Sequence, residues 1–121
     1  MIVKMLSLAT ILTISFSAMA HDAKGPHGGR LTDADIYHLE LVTRNDVVEV
    51  FISDTNERPL PSAGFSGVAI LVADGRSQRV VLTPADGDRL VGKLSQVFSS
   101  EPKGIVQLTA PDGKTSQAKF N

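Results

Sequence analysis

Cysteine and tryptophan are absent from the 121 residues, and the three methionines, Met1, Met5 and Met19, all fall within the first twenty. Without cysteine no disulfide can form, so the fold must rest on its core alone, and a lipid anchor on a lipobox cysteine is excluded. Beyond residue 20 the chain holds neither thiolate nor thioether, the soft ligands that select Cu(I). There is no excess of positive charge: 12 Lys and Arg face 13 Asp and Glu, a formal charge of −1. That balance gives no footprint for nucleic acid or an anionic membrane. Only one long apolar run occurs, Leu6 to Phe16, short of the roughly 20 residues a spanning helix needs.

That run has the marks of a secretion signal. Lys4 precedes it and Ala18-Met19-Ala20 follows as a small-x-small cleavage pattern. The expected organisation is therefore a signal peptide over 1–20, a flexible His- and Gly-containing arm over 21–30, and one domain over 31–121. Cleavage would leave a soluble, exported protein without a membrane anchor, its localisation periplasmic.

From Leu31 onward the chain reads as all-β. Residues 36–43 alternate, with Tyr37, Leu39 and Leu41 on one face and His38 and Glu40 on the other. Residues 47–53 follow an Asn45-Asp46 turn as a hairpin partner. Residues 54–64 form a proline-bearing crossover. Residues 65–73 and 76–83 flank the hairpin signal Asp74-Gly75. Further strands are expected over 89–94, 105–110 and 114–120. About seven short antiparallel strands, with turn signals every ten residues or so, predict an immunoglobulin-like β-sandwich. Lacking Trp and Cys, it would not be a true immunoglobulin domain.

Chemistry concentrates in one window. All three histidines, His21, His27 and His38, fall within residues 21–38, and imidazole is the commonest metal ligand. On a strand His38 and Glu40 leave the same face, with Cβ atoms within about 7 Å. There they either share a divalent ion or form an ordinary solvated polar face. His27 stands between Pro26 and Gly28-Gly29, whose freedom at positive φ would let the arm turn back toward His38; otherwise it belongs to a plain linker. Cleavage after Ala20 would make His21 the first residue, its amine and imidazole able to chelate together as in a histidine brace. Asp33, Asp35, Asp86, Asp88 and Asp112 read as turn residues bonding their own backbone. No nucleophile elbow, phosphate loop or EF-hand occurs, so no enzyme is expected.

Pro26-His27-Gly28-Gly29-Arg30 followed by Tyr37-His38-Leu39-Glu40-Leu41-Val42 resembles a pattern in small periplasmic heavy-metal-resistance proteins. It is similar also to the N-terminal metal-binding extension of periplasmic adaptors of metal-efflux pumps of the resistance-nodulation-division type. The resemblance implies a periplasmic metal-binding module, with His27 and His38 at the matching positions and Glu40 beside them. The long helical hairpin and lipoyl-like segments of a full adaptor are missing, so pump docking is not implied. The expected ligand is Cu(II) or Zn(II), held by His27, His38, Glu40 and His21, for buffering, delivery or resistance. A metal-efflux system or another periplasmic protein would be the partner. The alternative is a non-catalytic interaction module of the cell envelope in which the histidines are incidental.

Overall fold

The computed structural model describes residues 23–121. The expected signal peptide and His21 lie outside the described residues. Nine strands follow one another: β1 (Ala23–Lys24), β2 (Arg30–Ala34), β3 (Tyr37–Arg44), β4 (Val47–Asp54), β5 (Ser66–Ala73), β6 (Arg76–Pro84), β7 (Arg89–Lys93), β8 (Lys103–Thr109) and β9 (Thr115–Phe120). All pairings are antiparallel, in the order β1-β2-β3-β4-β7-β6-β5-β8-β9. No helix occurs among the described residues, hence none long and apolar enough to cross a membrane.

The hairpins follow local chemistry. Asp74 and Gly75 sit at φ 54° and 70°, the left-handed pair that a two-residue turn between right-twisted strands requires. Asn45 (φ 54°) turns β3 into β4 and Asp35 (φ 56°) turns β2 into β3. Alternation then sorts each strand. Leu39 and Leu41, Val48, Val50 and Ile52, Leu71, Leu82, Leu90, Leu108 and Phe120 share one buried cluster. Every strand from β2 to β9 contributes to it, β2 through Ala34, so the sheet curls around a single core.

Arg30 closes the curl. Its Nη1 donates to the Asn121 carbonyl at 3.1 Å and its Nη2 to the Pro102 carbonyl. Its Nε lies 3.1 Å from Glu101, and its guanidinium covers the Phe120 ring at 5.7 Å. One side chain at the start of β2 thus ties the beginning of the domain to its end.

Two strands exceed the expected seven. β2 presents Thr32 and Ala34 to the interior, side chains too small or too polar to register as a hydrophobic period. Ile36, expected to open β3, occupies the turn and is 61% exposed. Residues 23–30, expected to form an arm, are folded onto the sheet through β1 and a tight loop.

Candidate metal centre

Glu40 is expected on a solvent face, yet it is 1% exposed. It faces away from the core strands, as alternation requires, but residues 25–29 cover it. The loop closes through Gly25 N–H to the Gly29 carbonyl (2.9 Å) and Gly28 N–H to the Gly25 carbonyl (3.1 Å). A carboxylate removed from water must recover its hydrogen bonds, and the loop supplies three. Oε2 accepts from the backbone N–H groups of His27 and Gly29, each at 2.8 Å. Oε1 pairs with His27 Nδ1 at 2.7 Å.

The glycines permit this approach by lacking a side chain. A Cβ on Gly25 would lie 2.2 Å from Glu40 Cδ, and one on Gly29 2.3 Å from the Leu41 carbonyl oxygen. Gly28 adopts φ 80°, open to glycine at little cost. The Pro26-His27-Gly28-Gly29 motif is therefore the shape of a loop wrapped over a carboxylate.

His27 is fixed on two sides. Its ring stacks on Phe51, with centroids 3.6 Å apart and planes 6° off parallel. Phe51 stands directly opposite Glu40 in the β3–β4 register. Because an ionised carboxylate only accepts, the hydrogen bond to Glu40 puts the proton on Nδ1. In the neutral ring Nε2 then carries the free lone pair, and the side chain is 38% exposed. It borders a cleft of about 420 Å³ that Phe51, Ser53, Glu57, Pro59 and Asp88 also line.

His38 also lies beside a carboxylate, through its other ring nitrogen. Its Nε2 lies 3.0 Å from Asp33 Oδ1, its cross-strand partner on β2. Its Nδ1 is buried and has no hydrogen-bond partner among the described residues, while the side chain keeps 20% exposure. Asp33, expected in a turn, is thus a strand residue that holds a histidine. Asp112 does bond its own backbone, accepting from Lys114 N–H at 3.0 Å.

The candidate residues are brought together only in part. Glu40 and His27 are in contact. His38 is two residues along the same face from Glu40 but pairs with a different carboxylate. Glu40, expected as a direct ligand, has both oxygens engaged. Among the described residues no three His, Asp or Glu side chains form a metal-binding group. Phe51 and Gly25 were not singled out by sequence, and Asp33 was read there only as a turn residue. The Asn45-Asp46 turn already fixes the Glu40–Phe51 pairing, whereas Asp33 becomes visible only once β2 is known to be a strand. No protein-family model, curated protein or solved structure matches the chain.

Proposed function

We propose that this chain binds a divalent transition-metal ion, Cu(II) or Zn(II), as a periplasmic buffering or delivery protein in metal resistance. One observation carries the reading. Each described histidine has one ring nitrogen within 3.0 Å of a carboxylate oxygen and the other without a hydrogen-bond partner among the described residues. Metal-bound imidazoles are commonly oriented this way, the carboxylate fixing the tautomer and raising the basicity of the ligating nitrogen. His27 would ligate through Nε2 and His38 through Nδ1, the buried atom that has no hydrogen-bond partner among the described residues. Glu40 and Asp33 would orient them. His21 would add nitrogens if the exported chain begins there, and water would complete the shell. The resemblance of the His27 and His38 motifs to metal-resistance proteins supports the same reading.

The finer architecture we infer is an immunoglobulin-like sandwich built from β3–β9. The order β3-β4-β7 beside β6-β5-β8-β9 is that expected of such a fold, with β6 and β7 joined by only two residue pairs. β1 and β2 would be an addition that carries the loop over Glu40.

Calorimetric titration of the protein with Zn(II) and Cu(II) at neutral pH tests the function. Saturable binding is expected. His27→Ala should weaken it at least tenfold and His27→Ala/His38→Ala should abolish it. Lowering the pH should weaken binding, because protons compete for the imidazole nitrogens. Equal binding by the double variant would overturn the reading.

A further inference from the structure

The side of the molecule remote from His27 carries a second feature. β5, β6, β8 and β9 contain no Asp or Glu at all, though the whole chain has 13. Their outward positions set an apolar patch between cations. In one row across the four strands Arg79, Ile70, Ile105 and Lys119 stand side by side, two aliphatics flanked by two positive charges. Val68 and Val81 pair in the next row along, and Val72 in the row on the other side. Ile70, Val72, Val81 and Ile105 are exposed, as are Arg79 and Lys119. Scattered exposed aliphatics are ordinary, but a contiguous patch with a polar rim marks an interaction surface.

We infer that this face docks an amphipathic helix of a partner protein whose apolar stripe is bordered by acidic residues. Charge complementarity selects that occupant. A second copy applied face to face would set Arg79 and Lys119 against like charges. The apolar run of residues 6–16 has no acidic residue to offer them. Dimensions agree as well. Arg79 and Lys119 are three strand spacings apart, about 14 Å, and a helix with its side chains is about 10–12 Å across. A helix lying on Ile70 and Ile105 would bring carboxylates on its two flanks under the two cations, the usual pattern of an apolar centre within a charged rim. The metal reading plays no part in this inference.

The test follows the methyl NMR signals of Val68, Ile70, Val72, Val81 and Ile105 in the whole protein. The probes are a synthetic helical peptide with a leucine stripe flanked by glutamates, its lysine-flanked counterpart, and phosphatidylglycerol vesicles. Saturable shifts at these methyls with the glutamate peptide, at least tenfold tighter than with the lysine peptide, are expected. Arg79→Glu/Lys119→Glu, both exposed positions, should reverse the preference. That reversal distinguishes a charge-matched surface from general stickiness or misfolding. Equal response to the two peptides, no response, or an unchanged preference in the double variant would overturn the inference. So would tighter binding to the vesicles, self-association through these methyls, or their shift on removal of residues 1–20.

Discussion

Replacing Glu40 by glutamine keeps its shape and exchanges one acceptor oxygen for an NH2 group. That group would face either the His27 ring or two backbone N–H donors. With the amide oxygen kept toward the N–H groups, the NH2 can pair with His27 Nδ1 only if the ring moves its proton to Nε2, the nitrogen proposed to bind metal. Glu40→Gln is therefore expected to cost about 1–3 kcal/mol in urea unfolding and to weaken metal binding about tenfold or more, within the range seen when such supporting carboxylates are lost. Unchanged affinity at reduced stability would confine Glu40 to a structural role. Histidine identity was legible in the sequence at His27 and His38, because few side chains share their chemistry. The burial of Glu40 was not. Period-two alternation assigns a residue to a face and is silent on what covers that face, and here the cover comes from glycines that carry no hydrophobic signal.

The loop from Gly25 to Gly29 and the hairpin of β1 and β2 form the element on which the site depends. Gly29→Ala would drive a methyl into the Leu41 carbonyl, and the loop must lift to relieve it. Amide hydrogen exchange at His27 and Gly29 should then speed up at least tenfold while the amides of β5 and β8 stay protected. Faster exchange at every amide, or at none, would contradict this local opening. A second local device joins two turns. Asp74 accepts from Ser99 N–H at 2.7 Å and from the Ser99 and Ser100 hydroxyls at 2.8 and 2.9 Å. The Ser99 backbone bond foremost, then the two hydroxyls, holds its carboxyl below the ordinary carboxylate value. A depressed folded-state value means stability that is present above the unfolded value, near 4, and lost as pH falls through the folded one. The melting temperature of wild type should exceed that of Asp74→Asn at pH 6, and the gap should close toward pH 2. A gap independent of pH would contradict this. The β3–β4 and β5–β6 hairpins could be read from sequence, since Asn45-Asp46 and Asp74-Gly75 separate strands with clean alternation. β2 could not, because its inward residues Thr32 and Ala34 carry too little apolar area to set a period.

Across the whole molecule stability must come from one core and its closure, with no disulfide to assist. Leu39, fully buried on β3, should cost about 2–5 kcal/mol when cut to alanine. Arg30 ties β2 to the chain end through carbonyls, a carboxylate and the Phe120 ring. Arg30→Ala is expected to cost about 1–3 kcal/mol, or roughly 4–8 °C of melting temperature per kcal/mol. A change under 1 °C would mean the sheet holds its curl without the clasp. The all-β class was plain from strand and turn spacing. The closure was not, since it depends on one arginine meeting residues some seventy to ninety positions away. The core sets β3 in place, β2 pairs along its edge, and the loop folds over its outer face, which sets the two imidazoles beside Asp33 and Glu40. In the proposed function this arrangement would present His27 Nε2 and His38 Nδ1 to a metal ion. Long-range proton–nitrogen NMR of the histidine rings, recorded with and without Zn(II), tests it most directly. The expected result is protonation at His27 Nδ1 and His38 Nε2 in the metal-free neutral rings, with Zn(II) shifting the two opposite nitrogens. Rings in the reverse tautomers, or nitrogen signals unmoved by saturating Zn(II), would contradict it.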